Sequence, residues 1–263
     1  SGYTVAAFFI MGVSAWHLLR KSETDFFKRS FAIASKFGVA SILLVLVSGD
    51  FHAVEIASVQ PTKFAAMESV WETKKNSPMH LLLLPDEKGE RNALEAISIP
   101  SMLSLLAFHN PEGEVKGLKD FPAELRPPVL PTFLSFRLMV GLGTLFILLG
   151  VVAVFLSIRD KLESYPLFLK VMVLAIPLPY IANQLGWIVA EMGRQPWIVY
   201  GVLKTSDAVS KAITTSQVVG SLLGFTLLYG MLGVVDIYLL VKFARKGPDS
   251  DLSAIIKPAG RRG

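Results

Sequence analysis

Four ionisable or metal-binding side chains stand inside or at the edge of strongly apolar segments of this sequence. Arg137 and Met139 lie in the run PTFLSFRLMVGLGTLF, and Glu191 and Arg194 follow the run IANQLGWIVA. A methionine thioether is a soft, neutral ligand that can hold a haem iron axially, and a guanidinium can pair with a haem propionate. Methionine in an apolar helix is more often a packing residue. Arg137 favours the cofactor interpretation, because a buried guanidinium needs an anion and its own segment supplies none.

Glu191, Arg194 and Trp187 mark the end of the second run and admit two interpretations. Glu191 and Arg194 are three residues apart, so they can form an ion pair along a helix at the membrane interface. Trp187 and Trp197 then anchor that interface. Alternatively, Glu191 coordinates a metal or exchanges protons and Arg194 compensates a nearby anionic group, because ionisable residues at membrane depth are costly and often functional.

Lys63 and Glu68 lie on a helix predicted over residues 61–73, beside the apolar Phe64 and Trp71. Their spacing places them about 140° apart around that helix, so they need not pair and can face a common pocket from two sides. An ammonium and a carboxylate beside aromatic rings can hold a quinol headgroup, with Glu68 accepting its proton. The alternative is a solvated helix face without a ligand.

The composition excludes several other chemistries. Apolar residues make up 52% of the 263 residues and the mean hydropathy is +0.52, which indicates a membrane protein. Cysteine is absent, so this chain offers no disulfide, no thiolate nucleophile and no ligands for an iron–sulfur cluster. The net charge of +5 reflects loops that stay in the cytoplasm and indicates no nucleic-acid partner.

Five apolar segments are long enough to cross a bilayer as helices, which takes about 20 residues each. They predict an all-α, polytopic bundle with spans over 1–19, 31–49, 130–157, 167–191 and 216–241. Pro177 and Pro179 should kink the fourth helix. The connections after the first, third and fifth spans are basic, so the positive-inside rule places them in the cytoplasm and the N-terminus outside.

The chain is therefore predicted to have four parts. Two transmembrane helices over 1–49 precede an extracytoplasmic lobe over 50–129, which is too long for a simple connector. This lobe should contain an interfacial helix near 98–108. Three more transmembrane helices lie over 130–246, and the cytoplasmic tail over 247–263 is expected to be disordered.

The segments GDFHAVEIASVQPTKFAAMESVWET, SFRLMVGLG, IPLPYIANQLGW and VAEMGRQPW together resemble subunit I of the cytochrome bd-type quinol oxidases. The resemblance runs in order through essentially the whole chain, and GRQPW preceded by a glutamate is highly specific for that family. It implies a haem-containing terminal oxidase of a prokaryotic cytoplasmic membrane. Such an oxidase oxidises ubiquinol or menaquinol at the outer face, reduces O₂ to water and generates a proton gradient by charge separation.

The resemblance implies a role for each candidate residue in the bundle. Met139 matches the axial ligand of the haem b558 iron, and Arg137 matches the arginine beside that haem. Glu191 matches the glutamate at the iron of haem b595, with Arg194 and Trp187 part of the same haem site. A further haem, d or b, occupies the oxygen site of such enzymes.

In the outer lobe, Lys63 and Glu68 match the lysine and glutamate of the family's quinol-binding loop, the Q-loop. The lobe is short, so it resembles the branch of the family that lacks the long C-terminal insertion. Its position outside agrees with the topology predicted from the basic loops.

One departure from the family concerns the histidines. The resemblance places the histidine opposite Met139, with further helices, before Ser1. None of the four histidines of this chain matches it by motif: His17, His52, His80 and His109. The chain is therefore expected to be the C-terminal half of subunit I and not catalytic alone.

The expected partners are an N-terminal half of subunit I, which is either a separate chain or a missing segment, the family's subunit II, possible small single-helix subunits, membrane lipid and quinol. Two alternatives stay open at this point. One is a haem-free transporter or assembly protein that kept only the bundle, and the other is a quinone-binding subunit of another respiratory complex.

Overall fold

The computed structural model describes residues 1–210 and 212–248. The tail predicted to be disordered lies outside the described residues from position 249 onward. The α-helices in the described part are α1 (Gly2–Leu19), α2 (Thr24–Val59), α3 (Pro61–Glu68), α4 (Met102–Phe108), α5 (Val129–Ile158), α6 (Pro166–Leu174), α7 (Leu178–Met192) and α8 (Thr215–Lys246). The strands are β1 (Lys74–Lys75), β2 (Met79–Asp86), β3 (Arg91–Ile99), β4 (Glu114–Val115), β5 (Trp197–Val199) and β6 (Leu203–Lys204).

The predicted bundle of five candidate membrane spans is confirmed, with α6 and α7 together forming the fourth. That span is interrupted between Leu174 and Leu178, where Pro177 removes a backbone donor, as predicted. Helix α2 continues to Val59, past the predicted end of its span at residue 49. The extra turns leave the apolar segment and join the outer lobe, where Ala57 packs against Phe64.

The core of the bundle lies where α1, α2, α5 and α6 meet. Its largest fully buried side chains include Phe8, Met11, Phe31, Leu169 and Met172. Close approach of α1 to α6 depends on a glycine, because a Cβ atom at Gly12 would lie 3.0 Å from the Met172 carbonyl oxygen and closer still to the Ile176 side chain.

Gly12→Val is expected to destabilise the bundle by about 1–3 kcal/mol, since overpacking forces the backbone of α6 to move. The thermal unfolding midpoint of the purified complex measures this loss. Gly49→Val is the matched control, because a Cβ atom at Gly49 meets no heavy atom of the described chain within 4 Å. Equal midpoints for the two variants would contradict the packing argument.

The outer lobe contains a β element that the sequence analysis did not predict. Strands β2 and β3 form an antiparallel hairpin. The helix predicted over 61–73 ends at Glu68, because Ser69 adopts a left-handed conformation with φ of 53°. The helix predicted near 98–108 begins only at Met102, because residues 91–99 pair with β2 and Pro100 follows them.

The basic connections and the lobe lie at opposite ends of the bundle. At one end, Lys28 pairs with Glu163 at 2.7 Å, and His17 Nε2 lies 2.8 Å from the Ala244 carbonyl oxygen. At the other end, α3 contacts α5 and the C-terminal end of α7. Spans that alternate in direction place successive connections at opposite ends of the bundle, and the structure agrees with this. The predicted site residues lie at the end that carries the lobe.

Candidate functional site

Glu68 and Arg137 form a buried ion pair between the lobe and the bundle. Arg137 Nη2 donates to Glu68 Oε2 at 2.6 Å, and Glu68 is only 8% exposed. Burial raises the pKa of the Glu68 carboxyl to about 7, and the Arg137 guanidinium opposes this by lowering it. The anion that Arg137 lacks within its own helix is therefore supplied by α3.

Lys63 is buried on another side of α3 and faces α7. Its Nζ donates to the Ala190 carbonyl oxygen at 3.4 Å. Burial lowers the pKa of the Lys63 ammonium, Arg194 lowers it further, and Glu191 raises it. The approach requires a glycine on α7, because a Cβ atom at Gly193 would lie 3.0 Å from Lys63 Cγ.

Lys63 does not line the cavity that Glu68 lines. Glu68 and Trp71 line a cavity under the hairpin, whereas Phe64 lines a separate cavity next to Ala57. Lys63 lines neither of them. The two side chains point to different sides of α3, as predicted from their spacing. Lys63 contacts α7 and Glu68 contacts α5.

The predicted ion pair at the end of α7 is present. Arg194 Nη2 donates to Glu191 Oε2 at 2.5 Å, and the Gln195 side chain donates to the Glu191 carbonyl oxygen at 3.2 Å. Both charged side chains are partly exposed. Trp187 is 63% exposed on the same helix. Coordination of an iron by Glu191 stays a prediction.

Met139 on α5 lies against a glycine of α7. A Cβ atom at Gly186 would lie 3.1 Å from the Met139 sulfur, so only glycine leaves the thioether in its present position. Gly186 lies within α7 next to Met139, and Gly193, seven residues later and directly after the last residue of α7, lies next to Lys63. Sequence reasoning missed both glycines, although their spacing in an apolar run was a usable signal.

Three polar residues of the hairpin line the cavity next to Glu68, and sequence reasoning did not place them there. His80, Asn92 and Glu95 line the Glu68 cavity, which has a volume of about 250 Å³. Ser69 Oγ, next to Glu68 in sequence, donates to Asn92 Oδ1 at 2.7 Å. No local pattern indicated these contacts, because they depend on how the hairpin folds over α3.

The geometry defines a class of protein: a polytopic helical membrane protein with a buried acid and a buried base beneath an extramembrane lobe. The model of the family "Cytochrome bd terminal oxidase subunit I" matches residues 1–248. This chain belongs to the cytochrome bd terminal oxidase subunit I family.

Relatives agree with that assignment. The chain is 38% identical over 255 residues to cytochrome bd ubiquinol oxidase subunit 1 of Bacillus subtilis, covering 93% of this chain and 54% of that protein. It is 34% identical over 316 residues to cytochrome bd-II ubiquinol oxidase subunit 1 of Escherichia coli, covering 95% and 61%. The solved bd oxidase from Geobacillus thermodenitrificans has a TM-score of 0.78 at 30% identity, covering 93% of this chain and 56% of that one. The chain thus spans a little more than half the length of these relatives.

The family is haem-containing, and the residues present fit part of a haem site. Met139 offers a thioether, which is a suitable axial ligand. In the part of the chain that the structure describes, Nε of Arg137 and Nε of Arg194 are buried and have no hydrogen-bond partner, as expected of guanidinium groups that bind an anion such as a propionate. Among the described residues there is no cluster of three or more His, Cys, Asp or Glu that could hold a metal ion.

Proposed function

We propose that this chain supplies the quinol site and one side of the haem sites of a membrane quinol:O₂ oxidoreductase. The observation that carries the proposal is the Glu68–Arg137 ion pair. It joins a buried carboxyl of the lobe to the helix that carries Met139, two residues further along α5. Two relatives carry the name ubiquinol oxidase and a third is described as a putative menaquinol oxidase, so quinol is the substrate class.

In this proposal Glu68 acts as the base of quinol oxidation. A carboxyl whose pKa is raised to about 7 can take up and release a proton near neutral pH, so the Glu68 carboxylate can accept a proton from a quinol hydroxyl. Lys63 holds and orients the headgroup from the α7 side. Arg137 keeps Glu68 ionised and, through its unpaired Nε, binds a haem propionate.

The proposed haem ligands lie on α5 and α7. Met139 would hold the iron of haem b558, and Glu191 with Arg194 and Trp187 would form part of the haem b595 site. When bound, the haems, including a haem d or b at the oxygen site, accept the electrons of quinol and deliver them to O₂. Protons released on the lobe side and consumed from the other side would produce charge separation.

The same proposal covers location and partners. The chain would lie in a prokaryotic cytoplasmic membrane, with its N-terminus and Q-loop outside and its C-terminus in the cytoplasm, because the basic connections lie at the end opposite the lobe. The relatives are longer than this chain. The N-terminal half of subunit I, as a separate chain or as a further segment of the same one, and subunit II are proposed to complete the complex, together with possible small single-helix subunits.

The proposal is tested on the native complex purified from membranes. A reduced-minus-oxidised spectrum should show a low-spin haem b band, and quinol addition should drive O₂ consumption. Every copurifying chain should be identified at the same time. Binding of quinone without any haem absorption would overturn the oxidase proposal and favour a haem-free quinone-binding subunit.

Lys63→Gln is expected to raise the KM for quinol about tenfold or more at nearly unchanged kcat, because a hydrogen bond from a charged group contributes about 1.5–3 kcal/mol to binding. Steady-state O₂ consumption over a range of quinol concentrations measures both constants. Lys88→Gln, at an exposed position of the hairpin turn, is the control and should leave KM unchanged. A pure loss of kcat in Lys63→Gln would contradict an orienting role.

A further inference from the structure

The cavity beside Glu68 is lined by several polar and charged side chains, among them Asn92 and Glu95. It has a volume of about 250 Å³ and runs between α3 and the hairpin, which is room for several water molecules. Glu68 lies at its buried end. His80 and Glu95 of the hairpin line the same cavity.

A hydrogen-bond chain runs along this cavity from the neighbour of Glu68 to the hairpin. Ser69 Oγ and Trp71 Nε1 donate to Asn92 Oδ1 at 2.7 and 3.1 Å. Asn92 Nδ2 donates to Glu95 Oε1 at 2.7 Å. The other carboxylate oxygen of Glu95 lies 3.8 Å from His80 Nε2.

The exposed fraction of the side chains increases from Glu68 towards the hairpin. Glu68 is 8% exposed, the His80 side chain 20% and the Glu95 side chain 47%. In the described part of the chain, the buried Nδ1 of His80 has no hydrogen-bond partner. One imidazole nitrogen thus faces Glu95, and the other is a buried polar atom without a partner among the described residues.

The other carboxylates at the cavity are held by cations. Lys119 Nζ lies 3.5 Å from Glu72, and Arg126 Nη1 lies 2.7 Å from Glu90. Glu72 and Glu90 thus face fixed cations, whereas Glu95 faces an imidazole, a group that can both take up and release a proton near neutral pH. The Glu95–His80 pair is therefore the acid–base pair of this cavity best suited to pass protons.

We propose that protons leave Glu68 through this cavity and that Glu95 and His80 relay them to the aqueous phase outside the lobe. The inference rests on the proposed function, because it requires Glu68 to receive protons from quinol. Each step moves one proton between a carboxyl group, water and imidazole. Only O–H and N–H bonds break and form, and no oxidant is consumed.

The test uses the assembled complex in membranes, with His80→Ala, Glu95→Gln and the double variant. Each single change is expected to lower turnover at saturating quinol by on the order of tenfold. This is less than the 10²–10⁴-fold effect of a group at the reacting bond, because cavity water can partly substitute. The KM for quinol should stay unchanged, and the solvent deuterium isotope effect on turnover should increase. Added imidazole should restore His80→Ala.

The matched control is His109→Ala. His109 Nε2 lies 3.1 Å from Asp50, so the lobe contains a second histidine–carboxylate pair, and it does not line the Glu68 cavity. This variant should keep wild-type turnover and isotope effect. The isosteric Glu95→Gln retains an oxygen that can accept from Asn92, so it separates loss of proton transfer from loss of the lobe's structure.

The possible outcomes distinguish a failure of the proposed relay from a failure of the proposed quinol oxidation. If Glu68→Gln is slow but His80→Ala and Glu95→Gln turn over like wild type, the relay is wrong and the quinol site stands. Slow variants with an unchanged isotope effect and no rescue by imidazole would also overturn the relay, since they indicate a structural role. If wild type oxidises no quinol, or Glu68→Gln equals wild type, the proposed function itself fails.

Discussion

Glu68→Gln is expected to lower the turnover of quinol oxidation by about 10²-fold or more, because it removes the proposed proton acceptor while keeping the shape of the side chain. Glutamine can still accept a hydrogen bond from Arg137, so the contact between α3 and α5 should survive. O₂ consumption at saturating quinol measures the loss. The haem content of the purified complex should match wild type, and turnover close to wild type would contradict the assignment.

The pH dependence of turnover provides a second signature of Glu68. The carboxylate is the proposed proton acceptor, and burial raises the pKa of this group to about 7, so wild-type turnover should fall as the pH decreases through about 7. The Glu68→Gln variant has no group to titrate there, and its residual turnover should lack this acidic limb. An identical acidic limb in both enzymes would assign the titration to another group.

The Arg137→Met variant tests the Glu68–Arg137 ion pair by removing its cation. Arg137 lowers the pKa of Glu68, so its removal should move the acidic limb to higher pH. Removing one partner of a buried ion pair also costs about 3–5 kcal/mol of stability. The double variant Glu68→Gln/Arg137→Met contains no unpaired charge, so it should recover assembly while turnover remains low.

The parts of the structure that depend on local sequence could be predicted. Span lengths followed from apolar runs, the break in the fourth span followed from Pro177, and the Glu191–Arg194 pair followed from helical spacing. Each of these depends on residues within a few turns of one another. Helix-forming and membrane-crossing tendencies are set largely at that range.

Contacts between distant segments could not be predicted in the same way. The Glu68–Arg137 pair joins residues 69 apart in sequence, and the hydrogen bond from Thr62 Oγ1 to the Tyr200 hydroxyl joins residues 138 apart. Their geometry depends on how the lobe folds onto the bundle. The hairpin was missed because the apolar run that contains β3 continues into α4, and periodicity alone does not distinguish a buried strand from a helix.

Both predicted quinol residues connect α3 to helices of the bundle. Lys63 ties α3 to the end of α7, and Glu68 ties it to α5. Met139 and Gly186 belong to the same two bundle helices. The proposed quinol residues and the proposed haem ligand therefore contact the same two helices, which makes the position of Met139 the next quantity to test.

Met139→Leu is expected to abolish the low-spin haem b558 band in the reduced-minus-oxidised spectrum. Leucine is close to methionine in volume, so packing should be nearly preserved, but it has no sulfur to bind iron. The measurement is the difference spectrum of the purified complex, normalised to protein. Met231→Leu on α8, at an exposed position, is the matched control and should leave the band unchanged.

Gly186→Val tests whether iron binding depends on the position of the Met139 sulfur and not only on the presence of methionine at residue 139. A Cβ atom at Gly186 would lie 3.1 Å from the Met139 sulfur, so valine must displace the thioether although methionine is still present. The low-spin band should weaken or shift. Gly141→Val, on the helix of Met139, adds a Cβ atom that meets no described heavy atom within 4 Å and should not change the band. A normal band in both Met139→Leu and Gly186→Val would mean that this sulfur does not bind iron, because neither loss nor displacement of the thioether would then affect the haem.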